Sequence, residues 1–93
     1  MKILWLAAAE DDLVALTDHI AEDNPRTALE IFNTLRRSVE KLASYPHAGR
    51  EGRIRSTREL VISNLPYIIV YTVTLEIRIL AIFHTSRKWP TVF

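Results

Sequence analysis

The spacing of apolar positions changes along the chain, and each change marks a new element. Ile3–Leu6 is a short β-prone run, and after it Leu13, Leu16 and Ile20 recur every three to four residues, which predicts a strand and then a helix to about Glu22. Glu10, Asp11 and Asp12 stand where the positive end of a helix dipole favours anions. Asn24 before Pro25 marks a second start, because asparagine accepts orphan amide hydrogen bonds and proline suits the first helical position. Ala28, Ile31, Phe32, Leu35, Val39 and Leu42 then trace one continuous apolar stripe, with Arg36, Arg37 and Lys41 in the half where the dipole favours cations, so this helix is expected to reach about Tyr45. The short Glu22–Asn24 connection forces the two helices antiparallel, and Pro46, Gly49 and Gly52 close the helical half.

Beyond a basic loop at Arg50–Arg58 the pattern turns to β: Arg58–Ile62, Tyr67–Val73 and Glu76–His84, joined at Ser63–Pro66 and Thr74–Leu75, read as an antiparallel meander. The expected architecture is a single α+β domain over residues 1–93. It has an N-terminal strand and an antiparallel helical hairpin packed on one face of a small antiparallel β-sheet, in the order β-α-α-β-β-β. The last two runs are apolar at nearly every position, so both sheet faces call for cover while two helices supply it on one. The second face is then a ligand-binding concavity, the seat of a partner segment, or the place where the C-terminal tail folds back.

Composition adds limits rather than chemistry. The length of 93 residues suits one modest core, and the absence of cysteine rules out disulfides and thiolate metal sites. His19 and His47 have no carboxylate or histidine at metal-ligand spacing and are assigned no role; no metal or cofactor is expected. No apolar run approaches the ~20 residues that cross a bilayer, so no membrane partner is expected. Lys2 followed by Ile3–Ala9 runs straight into Glu10–Asp11–Asp12 and reads as a strand entering a helix rather than a secretory leader. Charge is divided: residues 1–49 carry five basic and eight acidic side chains, a net −3, whereas residues 50–93 carry seven and three, a net +4. Electrostatic recognition of a target therefore belongs to the second half.

Several short patterns occur in a fixed order: Leu4–Trp5, Asp12–Leu13, Pro46–x–x–Gly49–Arg50, Gly52–Arg53, Thr57–Arg58–Glu59–Leu60–Val61, Pro66–Tyr67–x–x–x–Tyr71 and His84–x–x–Arg87–x–Trp89–Pro90. The chain in this respect resembles the RelE/ParE superfamily of type II toxin–antitoxin toxins. That resemblance implies a cytoplasmic, growth-arresting toxin held inactive by a cognate antitoxin. The superfamily has two branches, one cleaving mRNA in the ribosomal A site and one poisoning DNA gyrase, and the fold does not separate them. RelE-type nucleases carry cations on the sheet and usually a C-terminal tyrosine; aligned on the Tyr67–x–x–x–Tyr71 strand, the corresponding positions here are Glu59, Val61 and Ile68, and no tyrosine follows Tyr71. The run Ile79–His84 resembles the last strand of ParE-like members. The resemblance thus implies a ParE-like gyrase inhibitor rather than an enzyme, with a ribosome-dependent mRNA endonuclease as the alternative and a nucleic-acid-binding module without toxicity as a second.

The candidate residues each carry two readings. Arg50, Arg53, Arg55 and Arg58 lie within nine residues and would bind a phosphate backbone or an acidic partner, or else form a solvated loop; charge reversal at Arg53, Arg55 and Arg58 is expected to leave the fold intact while weakening toxicity or antitoxin binding. Strict alternation along the last strand puts Ile79, Ala81 and Phe83 on one face and Arg78, Leu80, Ile82 and His84 on the other, so that Arg78, His84 and Arg87 become reserve candidates for an acid–base site. His84 is either that acid or base or a strand-end histidine bonded to a loop. Arg87, Lys88 and Trp89 combine two cations with a stacking surface for a target or antitoxin, against the reading of Trp89 as packing on the sheet edge. Tyr67 and Tyr71 share a face with Ile69 and are read as core.

Overall fold

The computed structural model describes residues 1–86, and within it Asn24 alone separates helix α1 (Ala7–Asp23) from helix α2 (Pro25–Glu40). The Asn24 amide donates to the Ile20 carbonyl (2.9 Å) while its Oδ1 accepts the Thr27 amide (3.1 Å), so one residue caps both helices. A connection this short leaves only an antiparallel hairpin. α2 tightens into a 3₁₀ turn at Lys41–Ala43, so the helical stretch expected to reach Tyr45 changes pitch before it ends. The Met1 ammonium donates to the Ala43 carbonyl (2.9 Å), placing a cation at the negative end of that helix.

The sheet has five strands: β1 (Ile3–Trp5), β2 (Arg50–Glu51), β3 (Arg58–Val61), β4 (Tyr67–Val73) and β5 (Ile77–His84), in spatial order β1-β5-β4-β3-β2. β2 to β5 form the antiparallel meander expected from the pattern, and the helical hairpin covers one face of it. Two features were not in the pattern. Arg50–Glu51, read as the start of a loop, is a short edge strand with Arg50 opposite Glu59 and Glu51 opposite Arg58. β1 joins the far edge in parallel, Ile3 opposite Ile77 and Trp5 opposite Ile79, so the sheet is mixed.

Ala9, Leu13, Leu35, Val39 and Leu42 of the helical half pack on Tyr67, Ile69, Tyr71, Ile77, Ile79 and Ile82 to make the core. Ile68, Val70 and Ala81 point away from the helices and are nonetheless buried, in keeping with strands that are apolar on both sides. The C-terminal tail, named above as a possible cover, lies outside the described residues together with Arg87, Lys88 and Trp89.

β5 contains a bulge. Val70 stands opposite Ala81 but Tyr71 stands opposite Ile79, which leaves Leu80 as an extra residue. One inserted residue inverts the alternation beyond it. Ile77 and Ile79 face the helices before the bulge, and Ile82 and His84 face them after it. The expectation that Arg78 and His84 share a face is therefore corrected: Arg78, opposite Thr72, points away from the helices, whereas His84, opposite Tyr67, points toward them.

Past Ile79 the outer edge of β5 has lost its neighbour, because the chain turns at Leu6, whose amide donates to Ile79 (3.0 Å), and enters α1. Asp12 takes over from the missing strand: its Oδ2 accepts the Ile82 amide (3.0 Å). An acid placed by the sequence where a helix dipole favours anions thus satisfies a sheet edge.

Candidate functional site

The Pro46–x–x–Gly49–Arg50 pattern has its physical origin in Tyr71. That side chain is fully buried on the helix-facing side of β4, and its hydroxyl donates to the Pro46 carbonyl (2.8 Å) and accepts the Gly49 amide (2.8 Å). A β-carbon at residue 49 would lie 2.7 Å from Tyr71 Oη and 2.9 Å from the Glu59 carbonyl, so the close approach demands glycine. Arg58 completes the closure by donating from Nη1 to the Gly49 carbonyl (2.6 Å). Burial pushes the Tyr71 phenol above its ordinary value, an effect opposed by the Gly49 amide and the Arg58 charge.

On the other side of the sheet Glu59 is 1% exposed and is held on both carboxylate oxygens. Oε1 accepts Arg50 Nε (3.1 Å) and Nη2 (2.9 Å); Oε2 accepts the Arg53 backbone amide (2.8 Å), with the Arg53 guanidinium at 4.0 Å. The loop that carries Arg53 is closed by the Gly52 amide on the Thr57 carbonyl (2.8 Å) and passes through a left-handed Ser56 (φ 66°), a conformation that costs a non-glycine residue roughly 1 kcal/mol or more.

The four clustered arginines are consequently not equivalent. Arg50 and Arg53 neutralise Glu59, Arg58 braces the Pro46–Gly49 turn, and Arg55 is exposed with no hydrogen bond or ion pair among the described residues. The expectation that the loop tolerates charge reversal does not extend to Arg58, since an acid there would face the Gly49 carbonyl it now binds. Glu59 is the residue that sequence reasoning passed over, treating it as a missing lysine. The signal available was a lone carboxylate on a strand bordered by arginines.

Glu59, Val61 and Ile68 do adjoin on the face away from the helices: Val61 is opposite Ile68, and Glu59 is opposite Val70. Arg78, at the far end of that face, pairs with Glu76 (3.0 Å). His84, on the opposite face, meets Tyr67 edge to face with ring centroids 5.5 Å apart, and its Nδ1 accepts the Ser86 amide (3.1 Å) with the Ser86 hydroxyl at 2.7 Å. His84 thus has the contacts of a strand-end histidine bonded to its own turn. His19 and His47 are exposed. Among the described residues no group of three or more His, Cys, Asp or Glu could hold a metal ion, and no helix is long and apolar enough to cross a membrane.

Residues 3–89 match the family model of the ParE toxin of the type II toxin–antitoxin system parDE. The chain is 38% identical over 91 residues to Y4kP, a protein named as a toxin in Sinorhizobium fredii (strain NBRC 101917 / NGR234), covering 98% of this chain and 95% of the relative. It is 33% identical over 87 residues to Toxin RelE2 of Caulobacter vibrioides (strain ATCC 19089 / CIP 103742 / CB 15), covering 92% and 97%. Among solved structures it is similar to a chain of the chromosomal ParDE system from P. aeruginosa, with a TM-score of 0.82 at 28% identity over 90% of this chain and 95% of that one.

Proposed function

The chain belongs to the ParE toxin family of type II toxin–antitoxin systems, and on that footing we propose that it is a cytoplasmic toxin, silenced by a cognate antitoxin, that arrests growth by poisoning DNA gyrase. The observation that carries the choice of target is the make-up of the sheet face away from the helices. Glu59, Val61 and Ile68 adjoin where the resemblance to RelE-type nucleases would put cations, and the nearest arginines, Arg50 and Arg53, are engaged by Glu59. Phosphoryl transfer without a metal depends on positive charge already oriented on the developing oxyanion, and removing one such donor typically costs on the order of a hundredfold in rate. Arg78 and His84, two of the three reserve candidates for an acid–base site, stand on opposite faces, and Arg87, the third, lies outside the described residues. Exposed Arg55 then serves recognition: it offers a cation to an acidic surface of gyrase or of the antitoxin.

A second reading, mRNA cleavage on the ribosome, is favoured by the 33% identity to the protein named Toxin RelE2. The two are separated by assaying DNA supercoiling and the integrity of ribosome-bound mRNA side by side. Inhibited supercoiling or trapped cleaved DNA with intact mRNA is expected. Codon-phased cleavage that His84→Ala or Arg87→Ala abolishes, with supercoiling untouched, would overturn the gyrase reading.

A further inference from the structure

A cavity of about 370 Å³ opens between α1 and the ends of β4 and β5. Its origin is the transfer of β5's edge from β1 to α1. The helix is tied down at Asp12, and the following turns, carrying Leu16 and His19, form one wall opposite Tyr67, Ile82 and His84. We propose that this cavity receives the side chain of an arginine borne on a basic segment of a protein partner.

Four observations converge on that ligand. Asp12 spends Oδ2 on the Ile82 amide, and its other carboxylate oxygen makes no hydrogen bond among the described residues, which leaves a fixed anionic acceptor at the cavity. Tyr67 is only 8% exposed, and its hydroxyl has no hydrogen-bond partner among the described residues. A polar group of a largely buried residue left this way beside a cavity is available to a ligand that enters it. The Tyr67 and His84 rings stand at 90° to each other, and the Ser86 amide fixes the imidazole, so the wall is aromatic and rigid. Such walls attract planar cations. Finally, α1 carries six acidic residues and no lysine or arginine, so its field repels phosphate and draws in a basic peptide.

Arginine fits better than lysine. A guanidinium presents several N–H groups in a planar fork and can engage the second Asp12 oxygen and the Tyr67 hydroxyl together while lying against an aromatic ring, whereas an ammonium is a compact point donor. The cavity is on the side of the molecule away from the Arg50–Arg58 corner, so this binding is independent of which target the toxin poisons.

The test is a titration of the isotopically labelled chain with capped Ala-Arg-Ala, Ala-Lys-Ala and Ala-Glu-Ala peptides, followed by amide chemical shifts. The arginine peptide is expected to give saturable shifts at Leu16, His19, Ile82 and His84, the lysine peptide weaker ones, and the glutamate peptide none. Asp12→Asn keeps an acceptor for the Ile82 amide but loses the charge, and should weaken the arginine peptide about tenfold, the usual size for one charge-assisted hydrogen bond. Tyr67→Phe should weaken it a few-fold, and it carries the test if Asp12→Asn fails to fold. Asp18→Asn, on the same helix but outside the cavity wall, should change little. Non-saturating shifts spread along α1, equal responses to arginine and lysine, equal sensitivity to Asp12→Asn and Asp18→Asn, or no shifts at all would each overturn the proposal.

Discussion

The two ends of β4 carry the same residue, four positions apart on the same face, and treat it in opposite ways. At one end the Tyr71 hydroxyl both donates and accepts, Glu59 behind it is saturated by Arg50 and Arg53, and Arg58 bonds the turn that Tyr71 secures. At the other end neither the Tyr67 hydroxyl nor the second Asp12 carboxylate oxygen has a hydrogen-bond partner among the described residues, and both residues line a cavity. Density of charge is therefore not density of unengaged charge. Arg50, Arg53 and Arg58 hold contacts within the arginine-rich corner, whereas the cavity end keeps polar groups that have no partner among the described residues.

The comparison breaks first, if it breaks, on the two carboxylates. Glu59→Ala should lower the unfolding free energy by about 3 kcal/mol, the low end for breaking a buried pair because Arg50 is half exposed. Asp12→Ala loses one hydrogen bond to an amide and should cost about 1 kcal/mol. Urea denaturation of both variants measures the difference, and equal costs would mean that the corner is no more braced than the cavity end. The tyrosines give the next largest effect. Tyr71→Phe strands the Pro46 carbonyl and the Gly49 amide and should cost about 1–2 kcal/mol, while Tyr67→Phe should cost less than about 0.5 kcal/mol.

Tyr71 also makes a prediction in pH. Its folded-state value is raised mainly by burial, so its contribution is whole below the unfolded value of 10.0 and is lost as pH rises through the folded one. The unfolded chain then releases a proton that the buried phenol keeps. Stability measured across the alkaline range should fall in the wild type and fall less in Tyr71→Phe. The smallest effect separates two neighbouring arginines: Arg58→Ala should cost about 1 kcal/mol through the Gly49 carbonyl, and Arg55→Ala under about 0.5 kcal/mol. Indistinguishable melting curves for these two would return the whole loop to the solvated reading.

Much of the fold was legible because it is written in local periods. The stripe from Ala28 to Leu42 and the Asn24–Pro25 start specify the hairpin, and the three β-runs fall within a residue or so of β3, β4 and β5. The bulge was illegible for a physical reason. Ile79 to Phe83 is apolar throughout, so a slip of one residue leaves no mark on the alternation that would betray it. The parallel place of β1 and the two-residue β2 depend on partners far along the chain. At the candidate site, both tyrosines were assigned to the correct face, but only the approach of Pro46 and Gly49 to one of them distinguishes a saturated hydroxyl from one without a partner among the described residues.

The parallel pairing of β1 with β5 also sets an order of events. Ile3 finds its neighbour in Ile77, and Asp12 finds Ile82, so β1 and α1 are completed by a strand far along the chain. Contacts this distant in sequence close late, after local helices and hairpins have formed. During synthesis the helical hairpin emerges with its apolar stripe uncovered and has no sheet to dock on until the meander follows it. Until β5 has emerged a nascent chain cannot present the finished sheet: the closing of that seam follows the making of the helices and of the rest of the meander.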